Sequence, residues 1–169
     1  RVLFRSPFWS TEGEENSIRS IEKSIDLGIN FYDTAPVYGF GYSEELLGRA
    51  LQSKRKDVII ATKCGLVWKK EDLKAIRKRA TRESILEEID LSLKRLRTDY
   101  IDLYQVHWPD ESTPIEETMN TLLQIQKEGK IRYIGVSNYS VDQMKESLNY
   151  GQIISLQPMY SMLERDIEK

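Results

Sequence analysis

Val58-Ile59-Ile60-Ala61-Thr62-Lys63-Cys64 is a run of β-branched and apolar residues with a lysine near its end, and its reading decides the fold. Val, Ile and Thr favour strands, and a short apolar run without alternation describes a strand buried on both faces. Strands of this kind belong to parallel sheets covered by helices. The flanking sequence supplies those helices. Before the run, Ser43-Glu44-Glu45 places a cap and acidic residues at the start of a helix through Leu46, Leu47, Ala50 and Leu51. After it, Thr81 is placed to cap a long helix carrying Ile85, Ile89, Leu93 and Leu96.

The same alternation extends in both directions. Ile18, Ile21 and Ile25 lie at helical spacing, Gly28 is a left-handed helix stop, and Asn30 to Thr34 is the strand that follows. Downstream, Tyr100 to Trp108 is a third strand, and Thr113-Pro114-Ile115-Glu116 combines a capping box with proline at the first helical position. Gly129 ends that helix, and Ile131 to Ser137 is the fourth strand. Ser140 with Gln143 makes another capping box, Ile153 to Gln157 is the fifth strand, and the beginning of one more helix follows. The order is a repeating strand-helix unit, compatible with a doubly wound sheet or a closed barrel; periodicity does not choose between them. The long connection from Gly65 to Ala80, rich in Lys and Arg, reads as a loop or a short helix, with a solvated face or a grip for an anionic substrate as its two uses.

Composition narrows the function classes. With 40% hydrophobic and 31% charged residues over 169 positions, the chain is an ordinary globular domain, and no linker or composition shift marks a second one. The net charge of -2, from 25 basic and 27 acidic residues, gives no electrostatic footprint for nucleic acid or an anionic membrane surface. No apolar run approaches the roughly 20 residues of a membrane helix. The lone Cys64 cannot form an internal disulfide, so a cytoplasmic setting is expected. The opening Arg1-Val2-Leu3-Phe4-Arg5-Ser6 corresponds to one frame of a common sequencing-adaptor oligonucleotide; residues 1–6 are therefore read as a non-native scar and set apart from the domain at 14–169.

Reactive residues of parallel α/β folds collect at the carboxyl ends of strands. Here the strands end in Asp33, Lys63, His107, Ser137-Asn138 and Gln157, a polar or ionisable group in every case. Asp33 alone could cap a turn, and His107 alone could be a buried histidine with satisfied hydrogen bonds. Lys63, behind an apolar strand, needs a nearby carboxylate to stay charged. Tyr38, on the loop leaving the first strand, completes the set. A phenol titrates near 10 and is a poor proton donor at neutral pH unless a cation lowers that value. Lys63 is a candidate for that cation, Asp33 for its partner, and His107 for a hydrogen bond at a substrate oxygen. Such a group serves proton transfer at a carbonyl, with hydride arriving from a nicotinamide. Cys64, facing away from Lys63 by strand alternation, is structural. No Cys/His cluster has zinc spacing, and Gly39-Phe40-Gly41 is not a dinucleotide fingerprint, so neither a metal nor a Rossmann site is expected.

These motifs resemble the aldo-keto reductase family. Gly28 through Gly39, continued by Tyr42-Ser43-Glu44, is similar to its signature around the catalytic Asp and Tyr. Ala61-Thr62-Lys63 is similar to the segment bearing its Lys, and Leu103 through Trp108 to the one bearing its His. Ile134 through Asn138 and Leu156-Gln157-Pro158 resemble two cofactor-side segments. The resemblance implies a (β/α)8 TIM barrel of which about five consecutive strand-helix units are present, against the eight units and about 250 residues of a complete barrel. It implies Tyr38 as general acid and base, Lys63 lowering its pKa, Asp33 pairing with Lys63, and His107 orienting the carbonyl. Ser137, Asn138 and Gln157 would hold the nicotinamide carboxamide, and Trp68 and Trp108 are candidates for the substrate pocket. NADPH is the implied cofactor, with NADH possible, and the implied substrates are small carbonyl compounds or alcohols. A fragment of this extent is expected to be inactive alone. Two further readings stand beside this one: a regulatory or binding module with little turnover, and a lyase using Lys63 as a Schiff-base nucleophile.

Overall fold

A computed structural model describes residues 2–3, 13–69 and 72–168. Its elements are β1 (Val2–Leu3), α1 (Glu14–Asp26), β2 (Phe31–Asp33), α2 (Tyr42–Leu51), β3 (Ile59–Cys64), β4 (Leu66–Lys69) and β5 (Asp72–Lys78). There follow α3 (Arg82–Leu96), β6 (Ile101–Val106), α4 (Ile115–Lys127), β7 (Ile131–Ser137), α5 (Val141–Leu148) and β8 (Ser155–Gln157). The main sheet runs β1-β2-β3-β6-β7-β8, every pair parallel. Among the described residues the strands therefore succeed one another in chain order, with no point at which the order reverses. A doubly wound sheet has such a switch and a barrel does not, so this sheet is an arc of a barrel. The five strands β2, β3, β6, β7 and β8 are those expected from the sequence; Val2–Leu3, inside the hexapeptide set apart above, adds a sixth.

Each helix returns the chain over the outer face of the arc, and successive helices lie against one another from α1 to α5. The core fills the space between helices and sheet. Ile60 and Cys64 of β3, Tyr104 and Val106 of β6, and Ile134 and Val136 of β7 meet Leu47, Ile85, Ile89, Leu122 and Ile125 from the helices. Alternation sends the intervening strand residues to the inner face. Phe31, Asp33, Leu103, Gln105, Ser155 and Gln157 there line a concavity of about 510 Å³.

The ends of the helices follow the expected chemistry in part. Gly28, at φ +84°, donates to the Ile25 carbonyl and stops α1. Thr81 caps α3 through the Ser84 amide, and Ser140 with Gln143 forms a reciprocal capping box on α5. Two expectations are corrected. The box at Thr113–Glu116 does not form, because the Thr113 hydroxyl donates instead to Asp110 at 2.7 Å and Pro114 takes the cap position. Ser43 does not cap α2, which begins at Tyr42 after Gly41; its hydroxyl is paired with that of Thr34 at 2.7 Å.

The connection from Gly65 to Ala80 is neither loop nor helix. It is the antiparallel hairpin β4–β5, with Leu66 opposite Lys78 and Val67 opposite Arg77. Charged residues dominate β5 and obscured its strand character, since the exposed residues Asp72 and Ile76 to Lys78 lack the apolar alternation by which strands are read.

At the opposite end of the strands, Asp102 accepts from Arg55 at 2.7 Å, Arg132 at 2.9 Å and the Ile60 amide at 3.0 Å. The two guanidiniums also lie 3.9 and 4.0 Å from the centroid of the Tyr100 ring. This cluster ties β3, β6 and β7 together below the barrel, away from the polar strand ends.

Candidate active site

Every polar residue picked out at a strand end lies on the same rim. Asp33 and Gln157 close β2 and β8, Lys63 is the penultimate residue of β3, Ser137 closes β7, and His107 follows β6 directly. Parallel pairing aligns them, with Lys63 opposite Gln105 and Ser137 opposite Gln157.

At the centre is an ion pair. The Lys63 ammonium donates to Asp33 Oδ1 at 3.0 Å and to the Thr34 carbonyl at 2.7 Å, and both charged residues are 1% exposed. An ammonium this far from water requires such a partner. The Lys63 Nζ lies 5.3 Å from the centroid of the Tyr38 ring, and that ring meets His107 edge-on at 5.9 Å with the planes 88° apart. The four residues named from the strand ends and the first loop are thus brought into one cluster.

The loop carrying Tyr38 is shaped by backbone conformation. Gly39, Phe40 and Gly41 have φ of +63°, +53° and +100°, three successive left-handed residues that turn the chain into α2. Glycine takes this conformation without penalty, whereas Phe40 is strained by it. Its ring is received by Trp68 of β4, at 5.4 Å and 61°. Gly39-Phe40-Gly41 is accordingly a turn that presents Tyr38. On the other side, Lys78 of β5 lies 5.5 Å from the centroid of Trp108. The hairpin therefore touches the residue two after Tyr38 and the residue after His107.

A second group sits beside the ion pair. Gln157 donates from Nε2 to Asp33 Oδ2 at 3.2 Å and accepts from Gln105 at 3.3 Å. The Ser137 hydroxyl donates to the Gln157 carbonyl at 2.8 Å, and Asn138 donates from Nδ2 to the His107 carbonyl at 2.9 Å and to Ser137 Oγ at 3.0 Å. Asn138 adopts φ +60°, a conformation Asn tolerates better than most residues. Ser137, Asn138 and Gln157 are thus in mutual contact.

Residues 8–169 match the model of the Aldo/keto reductase family. The chain belongs to the aldo/keto reductase family. It is 48% identical over 163 residues to Aldo-keto reductase YhdN of Bacillus subtilis (strain 168), covering 95% of this chain and 48% of that protein. Against the NADH-specific methylglyoxal reductase of Escherichia coli (strain K12) it is 40% identical over 174 residues, covering 96% of this chain and 53% of the relative. The structure of the glycerol dehydrogenase AKR11B4 from Gluconobacter oxydans superposes with a TM-score of 0.88 at 44% identity, covering 95% of this chain and 50% of that one. This aldo/keto reductase chain spans about half the length of the curated relatives it matches.

Several members of the site escaped the sequence reading. Gln105 was passed over inside an apolar strand, although its alternation with Tyr104 and Val106 marks it as inward-facing. The contact of Phe40 with Trp68 needed the hairpin to be known. Glu88 of α3 also reaches the rim from outside: its carboxylate accepts from the Gly65 amide at 3.0 Å, just beyond β3. Its helical neighbours gave no sign of that reach. Among the described residues, no group of three or more His, Cys, Asp or Glu could hold a metal ion, and no helix is long and apolar enough to cross a membrane.

Proposed function

We propose that this chain carries the reacting half of a nicotinamide-dependent oxidoreductase site that interconverts aldehydes or ketones with alcohols. One arrangement supports the reading above all: the Tyr38 ring lies beside a buried Lys63 ammonium held by Asp33, with His107 edge-on to it. In this reading Tyr38 gives its proton to the carbonyl oxygen during reduction and takes one from the alcohol during oxidation. The ammonium of Lys63 favours the phenolate form and so makes Tyr38 a workable acid near neutral pH. Asp33 keeps that ammonium charged where water is excluded. His107 donates a hydrogen bond to the substrate oxygen and so orients the carbonyl.

Ser137, Asn138 and Gln157 would hold the carboxamide of the nicotinamide ring. Adjoining hydroxyl and amide groups, which both donate and accept and carry no charge, fit that chemistry. When bound, the nicotinamide supplies hydride to the carbonyl carbon. NADPH is the cofactor inferred from the family, and NADH is the alternative that the name of the Escherichia coli relative raises. Methylglyoxal and glycerol, in the names of two relatives, point to small carbonyl compounds and alcohols as substrates. The ion pair also counts against the Schiff-base reading, because an ammonium donating to a carboxylate and a carbonyl has no lone pair with which to attack.

In the intact protein, Tyr38→Phe is expected to lower the rate of carbonyl reduction by about 10²- to 10⁴-fold. Cofactor binding, followed by fluorescence quenching, is expected to persist. Turnover at the wild-type rate would remove Tyr38 from its role.

A further inference from the structure

We propose that Glu88 is a positioning residue for this site, clamping the Gly65 amide from helix α3 and thereby holding the end of β3 that delivers Lys63 to Tyr38. The proposal rests on the role assigned to Lys63 above. Both Glu88 oxygens face the Gly65 N–H, at 3.0 and 3.2 Å, and the Ser84 hydroxyl steadies one of them at 2.9 Å. Gly65 is the point at which the chain leaves β3. It sits at φ +86°, and its carbonyl accepts from the Arg79 amide at 3.1 Å at the far foot of the hairpin. The residue two positions after Lys63 is therefore gripped on its N–H by Glu88 and on its carbonyl by the hairpin.

Burying a carboxylate is expensive. Glu88 is only 8% exposed. The groups facing it are Cys64 on β3, Tyr104 on β6, Glu44 on α2 and Arg95 on its own helix. Arg95 is committed to Glu44 at 2.7 Å and does not neutralise Glu88 directly. Burial pushes the Glu88 carboxyl up to about 8, against the opposing pull of the Ser84 and Gly65 hydrogen bonds. The clamp consequently changes charge close to neutral pH. As a carboxylate it offers both oxygens to the Gly65 amide, and as an acid it offers one fewer acceptor.

The test uses the intact protein labelled with 13C at the tyrosine phenol carbon, the Tyr38 signal being identified by its loss in Tyr38→Phe. The Tyr38 ionisation midpoint, kcat and KM are read in the wild type and in Glu88→Ala, Glu88→Gln and Lys63→Met. Glu88→Ala is expected to raise the midpoint by about half a unit or more and to lower kcat about tenfold with KM little changed. Glu88→Gln, which keeps an acceptor oxygen, is expected to hold both near wild type. Because the folded value lies above the ordinary carboxylate range, the stability linked to Glu88 is complete at acid pH and lost as pH rises through about 8. Glu88→Gln is expected to flatten that loss. If Lys63→Met raises the Tyr38 midpoint while Glu88→Ala leaves it unchanged, the positioning role is overturned and the reading of Lys63 stands. If Lys63→Met leaves it unchanged, the reading of Lys63 itself fails and takes the proposal with it. Should Glu88→Ala not fold, a Tyr38 midpoint displaced in folded Glu88→Gln as far as in Lys63→Met overturns the proposal, since an acceptor for the Gly65 amide is still in place there.

Discussion

Asp33 is shared between two neighbours: one oxygen accepts from the Lys63 ammonium and the other from the Gln157 amide. Removing its charge takes from Lys63, 1% exposed, the carboxylate that answers its ammonium. Breaking one side of a buried pair costs about 3–5 kcal/mol, because the remaining charge is stranded. Asp33→Asn is therefore expected to lower the denaturation midpoint by a corresponding amount, and adding Lys63→Met is expected to restore much of it. A single variant as stable as the wild type would show that Lys63 does not depend on Asp33. The need for a carboxylate near Lys63 was legible, since a lysine behind an apolar strand must be paired. Gln157 as the second partner was not, because an amide at a strand end has many ways to be satisfied.

Between the helices, the approach of α2 to α3 depends on Gly48. A Cβ there would lie 2.7 Å from Leu96 Cα and closer still to the Arg95 carbonyl oxygen, both of them backbone that cannot rotate away. Gly48→Ala is expected to destabilise the fold by about 1–3 kcal/mol despite the better helix propensity of alanine. Gly13→Ala, where an added Cβ meets no described atom within 4 Å, serves as the control and should cost no more than about 1 kcal/mol, the N-cap preference for glycine over alanine. Equal melting temperatures for the two variants would mean that the crossing relaxes freely. Helices and buried strands were read from sequence because an apolar face repeats at their own period. The β4–β5 hairpin was not, because Asp72 and Ile76 to Lys78 of its β5 strand are exposed and mostly charged and show no such period.

Over the whole molecule, the arc leaves an inner face as well as an outer one. The outer face is sealed by five helices, whereas the inner concavity is lined by Asp33, Gln105, Ser155 and Gln157 among apolar neighbours such as Phe31 and Leu103. The groups proposed for the cofactor are all neutral and meet only its nicotinamide end, so they offer the phosphates of a dinucleotide no countercharge. The 169-residue chain alone is accordingly expected to bind NADPH weakly or not at all by titration calorimetry. Tight binding would require phosphate contacts from residues given no such role here.

What the sequence by itself determined is the set of polar strand ends and the alternation that carries them, because burial and period are local properties of a few consecutive residues. Asp33, Lys63, His107, Ser137, Asn138 and Gln157 could all be named that way. Local periodicity left a doubly wound sheet and a barrel both open; the motif resemblance implied the barrel, and the tertiary structure shows it, the strands following one another without reversal in an arc. That structure also decided which polar group meets which: Gln157 reaches Asp33 across 124 positions, and the Glu88 side chain reaches from its helix to hold Gly65. Such pairings follow from strand order and helix placement, long-range consequences of packing that no local period encodes.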